Sequence, residues 1–157
     1  MPTGLSVTAG KTVSITNSLT LSGTDSTTIT FQGTDTYVGR TTTDTLTNKR
    51  KTPRVYNIAS NTSLTPEIAT YDNFEITALA GAITINNHAT STPAAGEKMI
   101  IRIKDNGTAR GIGFGTEYRA LGNALPTTTV LSKTLYMGFI WNAADSKWDL
   151  VAVALEN

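Results

Sequence analysis

Thr134-Leu135-Tyr136-Met137-Gly138-Phe139-Ile140-Trp141 leads into Asn142-Ala143-Ala144-Asp145-Ser146, and Lys147-Trp148-Asp149-Leu150-Val151-Ala152-Val153 leads back out. Both flanks are rich in aromatic and β-branched residues, and the segment between them is short and polar. The stretch therefore reads as a β-hairpin. Trp141 and Trp148 flank its turn, where a cross-strand aromatic pair contributes about 0.2–1 kcal/mol over alanine. Working upstream, Phe74-Glu75-Ile76-Thr77-Ala78-Leu79 alternates apolar with polar, and Ala82-Ile83-Thr84-Ile85 follows across Ala80-Gly81. Met99-Ile100-Ile101-Arg102-Ile103-Lys104 reads as a buried strand. It runs into Asp105-Asn106-Gly107, and Asn-Gly is the strongest short hairpin signal. Gly111-Ile112-Gly113-Phe114-Gly115 is the expected partner strand. No apolar period of 3.6 is sustained over about ten residues, so no helix is expected. About seven or eight short strands in roughly ninety residues imply a β-sandwich of jelly-roll type.

The first fifty residues have a different texture. Gly23-Thr24-Asp25 and Gly33-Thr34-Asp35 open successive segments, and Thr43-Asp44-Thr45 follows at a similar interval. Between them, Val13-Ser14-Ile15, Leu19-Thr20-Leu21 and Ile29-Thr30-Phe31 each set two apolar side chains on one strand face. Such a chain is extended, rich in turns and poor in core, and its apolar faces need partner chains. Three zones result: an extended threonine-rich β arm over 1–47 for intersubunit contacts, a linker over 48–70, and a compact β-sandwich domain over 71–157. The linker carries Lys49-Arg50-Lys51 and the prolines Pro53 and Pro66, which remove ladder donors and restrain their neighbours.

Composition narrows the function classes. The chain has 157 residues, 39% hydrophobic and 16% charged, with a formal net charge of +1 and no cysteine. A near-zero charge recruits neither nucleic acid nor an anionic membrane surface, and basic residues without interleaved aromatics argue further against nucleic acid. No apolar run approaches the roughly 20 residues of a membrane span, so no membrane insertion is expected. The start, Met-Pro-Thr-Gly-Leu, lacks the basic and apolar regions of a signal peptide, which points to assembly in a cytoplasm.

Catalytic and ligand chemistry finds little purchase. His88, the one histidine, follows a strand in a polar Asn86-Asn87-His88 loop and reads as solvated. Asp25, Asp35 and Asp44 stand about ten apart and suit turns that bond their own backbone better than a calcium shell of six to eight oxygens. Glu67, Asp72, Glu75, Glu97, Asp105 and Glu117 do not converge in sequence as a glycosidase pair would. Gly111–Gly115 lacks the strand-loop-helix setting of a phosphate loop. No cofactor, metal or enzymatic activity is therefore expected. Two groups are candidates for partner or glycan contact: the basic residues Lys49, Arg50, Lys51 and Arg54, and the aromatics Trp141 and Trp148, with Tyr136 and Tyr118 nearby. Strand aromatics more commonly fill a core or a subunit interface.

Asp44-Thr45-Leu46-Thr47-Asn48-Lys49, followed by Thr52-Pro53-Arg54-Val55, resembles a motif of tailed-phage fibre proteins, in which "TLTNK" precedes a Thr/Ser-Pro-Lys/Arg-aliphatic segment. Leu19-Thr20-Leu21-Ser22-Gly23-Thr24-Asp25 and Tyr37-Val38-Gly39 are similar to the repeats upstream of it. Tyr118-Arg119-Ala120-Leu121-Gly122, Phe139-Ile140-Trp141-Asn142 and Trp148-Asp149 resemble modules of small phage virion proteins. The resemblance implies a non-enzymatic homotrimer on a virion surface, with no catalytic residues to carry over. The single Leu-Thr-Asn-Lys element, without a long shaft, fits a capsid decoration (cement) protein as well as a short fibre. Its partners would be major capsid or tail proteins. The alternative is a carbohydrate-binding receptor-recognition module of a tail fibre, contacting a host surface glycan.

Overall fold

The computed structural model describes residues 8–12, 14–18 and 50–157. The expected arm over 1–47 falls almost wholly outside the described residues, as does Lys49. The chain divides into two units between Asn48 and Lys49, and all nine strands of the described residues belong to the second.

That unit is all-β, and alternation of side chains explains its strands. β1 (Val55–Ile58), β2 (Ser63–Leu64), β3 (Asn73–Leu79), β4 (Ile83–Ile85), β5 (Lys98–Asp105), β6 (Ile112–Phe114), β7 (Tyr118–Ala120), β8 (Thr134–Asn142) and β9 (Lys147–Leu155) follow in order. In β3, Phe74 and Ile76 are buried while Glu75 between them faces outward; β5 buries Met99, Ile101 and Ile103 by the same two-residue period. Six strands form one sheet in the order β1-β3-β5-β8-β9-β7, and β2-β4-β6 form a second.

The chain reaches this arrangement by coiling. β1, β3 and β5 pair in parallel in the large sheet, and β2, β4 and β6 pair in parallel in the small one. Each of three successive passes therefore lays one strand in each sheet, stacked on the pass before. The β8–β9 hairpin then adds antiparallel to β5, and β7 joins the far edge parallel to β9. A jelly roll has a different connectivity, two antiparallel Greek keys. Alternation specifies which face a residue occupies and is silent on strand direction, so parallel stacking left no mark in the period.

Register turns single residues into rows of core. Tyr56, Phe74, Ile101, Met137 and Val153 align across five strands, and Ile58, Ile76, Ile103 and Leu135 align across four, in a row that ends at the exposed Leu155. In the small sheet Leu64, Ile85 and Phe114 form the facing row. Buried residues of the two sheets belong to one cluster. Each full burial of an Ile, Leu or Phe side chain contributes about 1.5–3 kcal/mol.

Two expectations are corrected. Residues 48–70 are more than a linker, because β1 and β2 lie within them and form the first coil. Asp105-Asn106-Gly107 does turn the chain, with Gly107 at a φ of 94°, but it is a corner between sheets and not a hairpin. β5 pairs with β3 and β8, whereas β6 belongs to the other sheet. A carboxylate fastens the corner. Asp105, only 4% exposed, accepts hydrogen bonds from Gly107 N (3.0 Å), Ser132 N (2.9 Å) and Thr129 Oγ1 (2.7 Å).

The C-terminal hairpin forms as its sequence indicates. Trp141 pairs with Trp148, and their ring centroids are 5.2 Å apart. The register slips between Gly138 and Phe139, leaving Val151 as an extra residue on β9, 47% exposed.

Candidate functional site

The basic segment engages its own fold. Arg54 grips Asp72 through Nη2 to Oδ1 (2.9 Å) and Nε to Oδ2 (3.2 Å), while its backbone N donates to Oδ2 (2.9 Å). The same guanidinium donates to the carbonyls of Ala69 and Ile68, and Lys51 Nζ lies 3.1 Å from Asp72 Oδ1. Hydrogen bonds from Arg54, side chain then backbone, hold the Asp72 carboxyl far below the usual carboxylate range despite partial burial. The same bond to Asp72 raises Arg54. Arg54 is thus a clasp that seats the first coil; Arg50, Lys51 and Arg54 are all exposed, with Lys51 and Arg54 both paired to Asp72. A shallow groove of about 420 Å³ runs beside the clasp between Pro53 and Lys98.

The tryptophans do not present stacking faces to solvent. Trp148 is 0% and Trp141 5% exposed, so their assignment as glycan contacts is corrected to core. Rows of inward side chains on β8 and β9 place them there, and an even period cannot tell an inner face from an outer one. Tyr118 is buried as well; burial raises its phenol, which donates to Asn86 O at 3.0 Å.

His88 is not a freely solvated loop residue. Its ring stands edge-on to Trp141 at 5.1 Å and near Trp148 at 6.4 Å, with the side chain 12% exposed. Nδ1 lies 2.6 Å from Glu117 Oε2, and the His88 backbone N donates to the same oxygen at 3.1 Å. Glu117 N in turn donates to Asn87 Oδ1. The pair joins the 86–89 loop to the turn before β7. Gly115 makes that approach possible, since a Cβ there would lie 2.8 Å from Asn87 N. Sequence spacing gave no sign that residues 88 and 117 would meet.

The remaining carboxylates are each engaged separately. Glu75 pairs with Arg102 and accepts from Asn57 Nδ2. Glu97 accepts from Ala94 N, and Glu67 accepts from Ser91 Oγ at 2.9 Å. Arg119 spans Asp149 (2.7 Å) and Asp145 (2.8 Å), tying β7 to the hairpin turn. Its hydrogen bonds keep the Asp149 carboxyl below the usual range. Among the described residues no three His, Cys, Asp or Glu side chains cluster as a metal site would require. No helix of the described residues is long and apolar enough to cross a membrane.

Two surfaces stand out. The outer face of the large sheet carries a row of Val55, Asn73, Ile100, Gly138 and Ala152 in register. Ile100, Val151 and Tyr136 on this side are exposed large apolar side chains. Beside that row runs a polar ladder of Asn57, Glu75, Arg102 and Tyr136, with the Arg102 guanidinium 5.9 Å from the Tyr136 ring centroid. The second surface is a cleft of about 240 Å³ at the first coil, lined by Tyr56, Asn61, Thr65, Glu67, Tyr71 and Phe74 among others. Sequence reasoning missed it, since these residues straddle the segment assigned as linker and no motif joins them.

Comparison with family models, with curated proteins and with solved structures finds no match for this chain.

Proposed function

We propose that this chain is a non-enzymatic structural protein on the surface of a tailed-phage virion. It works as a homotrimer, as a capsid decoration (cement) protein or a short fibre, with the threonine-rich arm of 1–47 anchoring it to neighbouring subunits or capsid. The observation that carries this reading is the outer face of the large sheet. A solvated sheet face is ordinarily polar, whereas here Ile100, Tyr136 and Val151 surround the small residues Gly138 and Ala152. Contiguous apolar surface on a sheet suits a protein partner, and small residues at its centre let another backbone approach. The fibre-like motif over residues 44–55 supports the phage setting. The virion would be assembled in the host cytoplasm.

Sedimentation velocity at micromolar concentration tests the assembly. The full chain should run as a trimer, and Ile100→Lys with Val151→Lys should run as a folded monomer. A wild-type monomer would overturn the oligomer. Antibody labelling of virions then separates the two placements: label on the capsid indicates decoration, label at the tail indicates a fibre, and particles bearing none refute the virion role. Removal of residues 1–47 should abolish attachment to the particle while β1–β9 stay folded.

A further inference from the structure

The cleft at the first coil has the chemistry of a small-ligand site. Three aromatic rings meet there: Tyr56 and Tyr71 edge to face at 5.4 Å, each 6.1 Å from Phe74. Phe74 is fully buried and forms a fixed apolar floor, while Tyr56 and Tyr71 are half-buried. Aromatic walls of this kind take the C–H face of a ligand and exclude water from it.

The polar groups around these rings are held in place by bonds that leave part of each free among the described residues. Glu67 Oε1 accepts from Ser91 Oγ (2.9 Å) and from Ala69 N (3.3 Å), which fixes the carboxylate while Oε2 has no protein donor. Asn61 Oδ1 accepts from Thr62 N at 2.8 Å, leaving its amide N–H groups to donate elsewhere. Thr65 Oγ1 accepts from Asn86 Nδ2 at 3.0 Å and keeps its own proton to donate. The site thus offers acceptors and donors interleaved around an aromatic wall, with one negative charge.

That combination selects among ligand classes. An anion would face the Glu67 carboxylate without a cationic partner in the lining. A metal ion would lack the three clustered ligands it needs. A wholly apolar ligand would strand Asn61 and Glu67 at a cost of about 1–3 kcal/mol each. A ring with one C–H face and a rim of hydroxyls satisfies every group. The volume lies just below the roughly 300–1,000 Å³ of drug-sized sites, which suits a single pyranose.

We infer that the Tyr56–Tyr71–Glu67 cleft binds one sugar ring, with an aromatic wall against its C–H face and the Glu67 carboxylate accepting from a pair of its hydroxyls. The site lies apart from the buried tryptophans and does not depend on where the protein sits on a particle.

Saturation-transfer NMR on the full chain tests this with glucose, galactose, mannose and N-acetylglucosamine, using sorbitol as an open-chain polyol control. At least one pyranose should receive transfer to its ring C–H protons, and sorbitol should receive none. Glu67→Gln and Asn61→Ala, both near the surface, should each weaken the responding sugar tenfold or more with the unfolding midpoint unchanged. Tyr71→Ala should abolish binding, its fold checked by near-UV circular dichroism. No transfer to any of the four sugars overturns the inference. So does transfer that matches sorbitol, or that persists unchanged in Glu67→Gln and Asn61→Ala. None of these outcomes bears on the trimer, which sedimentation reads separately.

Discussion

Replacing Asp105 separates two accounts of the corner between β5 and β6. In one, Asn106-Gly107 makes the turn by its own propensity; in the other, the buried carboxylate holds it from beneath. Asp105 accepts three hydrogen bonds, and these differ in what replaces them. Gly107 and Ser132 are exposed, so water can serve their N–H groups once the carboxylate is gone, and each loss costs about 0.5–1.5 kcal/mol. Thr129 is buried, and its hydroxyl keeps only the bond it accepts from Arg110 N (2.9 Å). Losing its charged acceptor costs about 1.5–3 kcal/mol. Asp105→Ala should therefore destabilise by about 2.5–6 kcal/mol, with about 4 kcal/mol as the central value. Asp105→Asn retains an acceptor oxygen for Gly107 and Ser132 and can donate to Thr129 Oγ1, so it should cost about 1–2 kcal/mol. Urea unfolding of the full chain, followed by the fluorescence of the two buried tryptophans, reads the difference directly. At about 2 kcal/mol per molar urea, the midpoint should fall by roughly 2 M for alanine and by less than about 1 M for asparagine. Equal effects from the two variants, or a loss under about 1 kcal/mol for alanine, would refute the carboxylate account.

The same residue sets a pH signature. Burial acts to raise the Asp105 carboxyl, but hydrogen bonds from Ser132, Thr129 and Gly107 outweigh it and the net shift is downward. A depressed folded value gives stability that is present above the ordinary aspartate range. It is lost as pH falls through the folded value. The gap between wild type and Asp105→Asn should hold at neutral pH and close from about pH 4 downward.

Trp148→Ala should destabilise by about 3–5 kcal/mol and erase the near-UV signal of the tryptophan pair; a folded variant with unchanged midpoint would contradict its burial. Gly115→Ala should cost about 1–3 kcal/mol in thermal unfolding, because the added Cβ meets the Asn87 backbone as well as its side chain. Asn87→Ala should not rescue it, and rescue would show that only the amide oxygen is crowded. Arg54→Ala should speed amide exchange at Arg54 and Asn73, whose N–H groups bond Asp72 Oδ2 and Arg54 O. Amides of β5 and β8 should be unaffected, and uniform acceleration would mean that the clasp supports the whole fold.

The parts legible in sequence are those encoded by near neighbours. Alternation in Phe74–Leu79 and Met99–Lys104 marks strands and inner faces, and the Trp141–Trp148 hairpin pairs residues a few positions apart. What escapes is long-range. Tyr56, Phe74 and Ile101 form one row because three coils stack in register, yet each strand alone would read the same in an antiparallel sheet. Asn106-Gly107 signals a turn truly but says nothing of which sheet the chain enters next. The polar look of residues 48–70 hides two edge strands because both are short: β1 has four residues, broken by Asn57 between Tyr56 and Ile58, and β2 has only two. His88 and Glu117 meet only because the second coil's loop folds over the start of β7.

The order of pairing in the large sheet also bears on how the protein is made. β5 lies between β3 and β8, and β7 is held only by β9, so the middle of the sheet stays incomplete until residues 134–155 have left the ribosome. The three earlier coils can stack as they emerge, but they do so with the edge of β5 open and the Ile101 and Ile103 rows unfinished. An open strand beside apolar rows is a template for pairing with other nascent chains. Synthesis therefore passes through a stage of greatest aggregation risk that the last hairpin ends, and substitutions weakening β8 or β9 should lower soluble yield before they lower the stability of the finished protein.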